Sequence, residues 1–569
     1  MAETQIVAMD QYRAWLADPN IDEATKEELR AIADDPQEIE DRFFRELAFG
    51  TGGLRGVIGA GTNRINRYIV GKATQGLAHY VLRAAGEQPA VAIAYDSRHQ
   101  SPEFALEAAL VLAANGVRAY VFPELRPTPE LSFAVRHLKA MAGIVITASH
   151  NPPEYNGYKV YGADGGQLVP AEAEQVIGEI RKLPSFDAIK RIERQEAEQQ
   201  GLLVWLDESV DEAFIQALSE VSFSSKFTVP DDFQVVFTPL HGTGNKPVRD
   251  ALQAIGVKHV HVVAEQELPD PNFSTVTSPN PEERDAFKLA IQKAEAIGAD
   301  IIIGTDPDAD RMGAVVLDRS GQYAVLTGNQ SGAIIAHYLL SRMKAEDTLP
   351  ANGVVIKTIV TSEMGARIAE SFGMTVLNTL TGFKYIGERM TEFARTGKHT
   401  FLFGYEESYG YLAGDYARDK DAVVASMLIC EAAAWYKSQG QSLTEVLDEL
   451  YAQFGYFLEA LASRTMKGKT GMERIAAIME DWRAQPPTEI AGVKVQQLLD
   501  YSEGIDGLPS ENVLKYMLDD GSWFCLRPSG TEPKIKVYFA VCRDSGEASQ
   551  QALQALVQEV MARVDEIEA

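Results

Sequence analysis

The chain has 569 residues, 46% apolar and 24% charged, with 81 acidic against 53 basic side chains and a net charge of −28. At about 150 residues per domain this length predicts three to four domains, and the acidic balance argues against nucleic acid or an anionic membrane as partner. Three cysteines (Cys430, Cys525, Cys542) fit no disulfide framework or zinc spacing, and no signal peptide or 18-residue apolar run is visible, so a cytoplasmic setting is expected.

Residues 1–48 read as acidic helices around a thin apolar stripe. Three later stretches then repeat one plan of apolar strand, polar loop, amphipathic helix and glycine. They are VAIAYDSRHQSPEFALEAALVLAANG, VVFTPLHGTGNKPVRDALQAIG and VVIKTIVTSEMGARIAESFG, ending at Gly116, Gly256 and Gly373. The glycines stand where a helix end needs a left-handed residue before the next strand. This order predicts an α/β protein with three related α/β domains and mixed sheets, at 1–205, 206–325 and 326–450. The tail, 451–569, alternates strands around a tight loop and closes on a helix, which predicts a smaller α+β domain. Its Gly468-Lys469-Thr470 resembles a P-loop ending, but Ser463 holds the leading glycine position. The proline-rich stretch 269–283 reads as an ordered loop of the second domain.

Five segments could carry chemistry. Gly50-Thr51-Gly52-Gly53-Leu54-Arg55 lacks the last glycine of G-x-G-x-x-G and reads as a flexible loop presenting Arg55 to an anion. Thr147-Ala148-Ser149-His150-Asn151-Pro152 follows the strand AGIVI and makes Ser149 either an exposed nucleophile or part of a simple turn. Asp306-Pro307-Asp308-Ala309-Asp310-Arg311 follows the strand IIIGT; three carboxylates at this spacing repel unless a cation joins them. An EF-hand is ruled out by Arg311 and Leu317 at its sixth and twelfth positions, and oxygen-only ligands favour Mg²⁺ over Zn²⁺. Glu406 and Ser408, two apart in an extended loop, would point the same way and suit paired hydroxyls; Lys420 follows within a charged turn. Arg527-Pro528-Ser529-Gly530-Thr531-Glu532-Pro533 can form an anion nest with a two-pronged donor.

Taken in order, TASHNP, GTDPDADR, the E-x-S loop and RPSGTEPK resemble the α-D-phosphohexomutase family. FGTGGLRG, TPLHGTGN, TGFKYIG and GYEESYGYL followed by RDKD resemble its phosphoglucomutase branch. The resemblance implies three α/β domains and one smaller α+β domain around a central cleft. The implied reaction is an intramolecular phosphotransfer between glucose 1-phosphate and glucose 6-phosphate, through a phosphoserine, one Mg²⁺ and glucose 1,6-bisphosphate. Mannose and pentose phosphates are the alternative substrates. Ser149 is then the phosphoserine and a metal ligand with Asp306, Asp308 and Asp310, with His150 and Arg311 beside them. Thr381, Gly382, Lys384, Glu406 and Ser408 would read the sugar, and Arg527, Ser529, Gly530 and Thr531 would clamp the distal phosphate. Gly410 stands where many phosphomannomutase relatives carry His, which leaves Lys159, Lys420, Arg55 and His150 as candidates for proton transfer. A crowd of cations would depress the Lys159 pKa. The expected partners are small sugar phosphates, and the chain would be a monomer or homodimer. A phosphatase, passing the phosphoryl group to water, is the competing reaction.

Overall fold

The computed structural model describes residues 2–50, 52–84, 89–466, 468–529 and 534–568. The chain divides into two compact units. The first comprises Met1–Gly328, Phe383–Gly404 and Ser408–Gln439; the second comprises Asn329–Gly382, Tyr405–Glu407 and Gly440–Ala569.

The first unit begins with three helices, Ala2–Ala17, Glu23–Ala31 and Pro36–Phe43, as the acidic N-terminal pattern predicts. Their apolar stripe buries Tyr12, Trp15, Leu29, Ile39 and Phe43 against Tyr68. Six strands follow: β1 (Gly53–Val57), β2 (Ala90–Tyr95), β3 (Arg118–Val121), β4 (Ala142–Ile146), β5 (Tyr155–Gly162) and β6 (Leu203–Trp205). They form one sheet in the order β1-β5-β4-β2-β3-β6. β2, β3, β4 and β6 run parallel, whereas β5 turns back antiparallel between β4 and β1. β2 and β4 are buried along their whole length, which explains why they read as continuous apolar runs.

A second sheet repeats the plan with β7 (Gln234–Thr238), β8 (His259–Val262), β9 (Ile301–Thr305), β10 (Met312–Leu317) and β11 (Tyr323–Val325), in the order β11-β10-β9-β7-β8. Here too a parallel strand, β9, is followed by an antiparallel return, β10. The predicted glycines at 116, 256 and 373 all have left-handed φ, at 76°, 89° and 76°.

In the second unit β12 (Gly353–Thr358) pairs in parallel with β13 (Thr375–Thr379). β14 (Thr400–Tyr405) carries the chain from the first unit into the second, and β15 (Tyr411–Ala413) lies in the first. The C-terminal strands are β16 (Tyr456–Thr465), β17 (Glu489–Ile490), β18 (Val493–Asp500), β19 (Leu514–Leu518), β20 (Trp523–Pro528) and β21 (Lys534–Arg543). They make an antiparallel sheet ordered β16-β21-β20-β19-β18-β17. Two helices, Gly468–Ala484 and Gly546–Glu566, supply Trp482, Leu556 and Val560 to the core against Phe524 and Val537.

No helix among the described residues is long and apolar enough to cross a membrane.

Candidate active site

Two of the sequence motifs occupy equivalent places in the first unit. TASHNP connects β4 to its antiparallel return β5, and DPDADR connects β9 to β10. Both loops therefore leave the C-terminal end of a buried parallel strand, where α/β proteins build their sites. The Ser149 Oγ donates to Asp306 Oδ2 at 2.7 Å and lies 3.2 Å from His150 Nδ1. Ser149 is only 4% exposed and its φ is +54°, a left-handed backbone that a serine adopts at a cost.

Asp306 organises the acidic loop. Its Oδ1 accepts from the backbone N–H of Asp310 and of Arg311, both at 3.0 Å. Asp306, Asp308 and Asp310 are all buried, and each offers an oxygen within 4.8 Å of the others. Asp308 Oδ1 and Asp310 Oδ1 are buried without a hydrogen-bond partner, so the triad has donor atoms to give a hard divalent cation. Burial, then the neighbouring Asp308 and Asp310, push the Asp306 carboxyl well above the usual range. Burial would also raise Asp308, but Lys159 and its other partners prevail and hold it below that range.

Lys159, on β5, reaches Asp308 Oδ2 at 2.9 Å and Asp310 Oδ2 at 3.4 Å, and Lys420 reaches Asp310 Oδ2 at 2.8 Å. The expectation of a depressed Lys159 pKa is overturned. Burial does favour its neutral amine, but Asp308 and Asp310 together outweigh that and Lys420, so the pKa is raised. Burial, followed by the charges of Arg311 and Arg55, drives the His150 ring well below its ordinary value. Arg311 pairs with Glu282.

Arg55 differs from its sequence reading. It lies within β1, opposite Gly157 of β5, and not on a flexible glycine loop. The β1–β5 ladder fixes its backbone, and its exposed side chain donates to Asn151 Oδ1 at 3.1 Å. The Glu406–Ser408 reading is corrected as well. The strand ends at Tyr405 and the chain turns through Glu407 and Ser408, with Tyr409 at φ +66°, so alternation along an extended segment does not apply.

In the second unit Glu406 is buried and its Oε1 accepts from the N–H of Gly382 at 2.9 Å, so these two candidates do meet. Thr381 Oγ1 beside them is buried without a hydrogen-bond partner. Glu407 accepts from Thr361 Oγ1 at 3.1 Å. Arg527 and Ser529 lie at the β20–β21 hairpin, where Arg527 Nε donates to Glu511 Oε1 at 3.1 Å and Ser529 N to Lys534 O at 2.7 Å. Gly530 and Thr531 lie outside the described residues. Ser408 and Lys384 belong to the first unit; Lys384 Nζ stands 5.1 Å from the Tyr385 ring centre.

Several residues without a motif signal join the first-unit site. Thr128, opening the helix Thr128–His137, donates its hydroxyl to Asp308 Oδ2 at 2.9 Å and its N–H to Asp308 O at 2.9 Å. Its target lies 180 residues away, and no local sequence pattern marks that pairing. TPLHGTGN proves to brace the acidic loop, with Thr243 N donating to Pro307 O at 2.8 Å. Arg98 contacts the Ser149 loop, and Glu282 comes from the proline-rich stretch.

The chain matches the four family descriptions of phosphoglucomutase/phosphomannomutase. These are alpha/beta/alpha domain I over residues 46–185, domain II over 212–320, domain III over 327–454 and the C-terminal domain over 462–560. It is 40% identical to a curated phosphoglucomutase of Staphylococcus haemolyticus, covering 90% of this chain and 93% of that one. Among solved structures it is similar to the open form of pp63/parafusin, a phosphoglucomutase from Paramecium, with a TM-score of 0.71 and 18% identity over 91% of this chain and 94% of that one. It is also similar to a phosphoglucomutase/phosphomannomutase family protein from Burkholderia thailandensis, with a TM-score of 0.68 and 19% identity over 91% and 98% of the two chains.

Proposed function

Since the chain belongs to the phosphoglucomutase/phosphomannomutase family, we propose that it interconverts glucose 1-phosphate and glucose 6-phosphate through a phosphoserine at Ser149 and glucose 1,6-bisphosphate. The observation that carries this reading is the hydroxyl of Ser149 set 2.7 Å from Asp306 in a buried carboxylate triad that two lysines also reach. Such a cluster unites an acceptor oxygen, a cation cage and proton carriers, the parts that phosphoryl transfer requires. The name of the 40%-identical relative favours glucose over mannose or pentose.

The carboxylates of Asp306, Asp308 and Asp310, with Ser149, would hold one Mg²⁺. When bound, that ion neutralises charge on the moving phosphoryl group. Ser149 Oγ takes and returns the group, while Arg311 and Arg55 add positive charge beside it. The amines of Lys159 and Lys420 reach the same carboxylates, which makes them the leading proton carriers for the sugar hydroxyl; His150, 3.2 Å from Ser149 Oγ, is the alternative. Glu406, held by the Gly382 N–H, and Thr381 are the sugar-reading candidates of the second unit, and Ser408 and Lys384 those of the first. Arg527, Ser529, Gly530 and Thr531 take the phosphate that is not reacting.

Supplying glucose 1-phosphate with Mg²⁺ and a trace of glucose 1,6-bisphosphate tests the reading. Wild type should yield glucose 6-phosphate without free phosphate, and Ser149→Ala should yield neither. Release of inorganic phosphate in step with substrate loss would make the protein a phosphatase instead.

A further inference from the structure

The Ser149 loop hangs on one buried guanidinium. Arg98 Nη2 donates to the carbonyls of Ser149 and Asn151, both at 2.5 Å, and Nη1 to those of Pro152 and Tyr155 at 2.8 and 3.1 Å. One side chain thus gathers four carbonyls of a seven-residue segment, a geometry that the planar fork of arginine allows and a lysine ammonium cannot match. The fork is itself fixed. Arg98 Nε lies 3.2 Å from Asp96 Oδ2, with neither side chain exposed, and the guanidinium covers the Phe273 ring at 5.0 Å. Asp96 is anchored by Ser101 Oγ at 2.8 Å and by the N–H of Arg98 at 2.9 Å.

This arrangement exceeds what a surface loop needs. The carbonyl that Arg98 holds at Ser149 belongs to a residue in left-handed conformation, and that conformation aims the hydroxyl at Asp306. The Ser149 N–H is held by Thr147 Oγ1 at 2.8 Å, and the Arg98 fork holds its carbonyl, so the fork fixes the other half of this left-handed backbone. We propose that Arg98 is the positioning residue of phosphoryl transfer: it sets the Ser149 backbone for attack and places a permanent positive charge behind the loop that receives the phosphoryl group. The inference rests on the reading of Ser149 as the phosphorylated residue. Arg98 touches no substrate in this scheme, so its loss should lower the rate of phosphoryl uptake and leave sugar recognition alone.

The test compares wild type with Arg98→Lys, which keeps the charge and loses the fork. Three quantities are read on folded protein with Mg²⁺: the rate of phosphate uptake from glucose 1,6-bisphosphate by intact mass, kcat, and KM for glucose 1-phosphate. Uptake and kcat should fall by on the order of 10²-fold, the scale of an ångström-level misplacement, with KM unchanged. If Arg98→Lys does not fold, Phe273→Leu, which removes the ring beneath the guanidinium, should show a smaller fall of the same kind. Normal uptake and kcat with only a lowered melting temperature would make Arg98 a structural staple and overturn the proposal. A wild type that takes no phosphate on Ser149 would overturn it too, and that failure shows in the wild-type arm alone.

Discussion

At the residue scale, the first-unit site is a balance of charges, with buried carboxylates and partly exposed cations around them. Three carboxylates are buried together, and Lys159, Lys420 and Arg311 supply compensating charge. Removing one partner of such a cluster leaves the other charge uncompensated, which is costly in a low-dielectric interior. Lys159 bridges Asp308 Oδ2 and Asp310 Oδ2, and Lys420 reaches Asp310 Oδ2 at 2.8 Å. If Lys159 carries the proton, Lys159→Gln should lower kcat by about 10²–10⁴-fold, the usual contribution of a positioned acid or base. Ser149 should still gain its phosphate in that variant, seen as ~80 Da of added mass. A Lys159→Gln enzyme with an unchanged kcat and pH profile would pass the role to Lys420 or His150.

At the scale of elements, the sequence announces strands better than it announces what their loops touch. The runs AGIVI and IIIGT are legible because strands buried on both faces are apolar without interruption, and each delivers its motif loop directly. Arg55 was misplaced because glycines suggest a loop, whereas Gly53 is needed for close approach: a Cβ there would lie 2.0 Å from Tyr158 O of β5. The extended geometry read for Glu406 and Ser408 does not hold, because the strand ends at Tyr405 and no local residue marks that end. Arg98, Thr128 and Glu282 gave no signal, since their partners lie from 29 to 180 residues away.

The TPLHGTGN loop offers a test of such long-range support. A Cβ on Gly242 would lie 2.4 Å from Pro307 Cα, so Gly242→Ala must displace the acidic loop. An overpacking cost of about 1–3 kcal/mol is expected. The variant should melt earlier and bind Mn²⁺ more weakly by paramagnetic resonance; unaltered Mn²⁺ binding would free the metal loop from this brace.

A second element-scale prediction concerns β19 in the second unit. Lys515 is 5% exposed, donates to Ile359 O at 2.6 Å and lies 4.1 Å from the Trp523 ring centre. Burial, then the nearby Lys357, lowers its pKa from 10.5 to about 8. The folded value is the lower one, so the unfolded chain binds more protons between pH 8 and 10.5 and stability rises with pH across that window. Relative to Lys515→Met, wild type should gain about 2 kcal/mol in urea unfolding between pH 7.5 and 9.5. Parallel pH curves for the two proteins would contradict it.

At the scale of the whole molecule, the proposed reaction requires the phosphoryl group to leave the protein and return to it in every cycle. The proposal assigns phosphate to two sets of residues, those around Ser149 and those near Arg527, and a phosphatase would need only the first. The measurement that bears most directly on this is a single turnover of phosphorylated protein with stoichiometric glucose 1-phosphate and Mg²⁺. Protein mass and small-molecule phosphate are followed together. The account predicts, in samples quenched within the turnover, a transient loss of ~80 Da, the mass of HPO₃, matched by glucose 1,6-bisphosphate, and recovery of that mass as glucose 6-phosphate forms. Isomerisation with the protein mass unchanged throughout, or loss of that mass as inorganic phosphate, would contradict it.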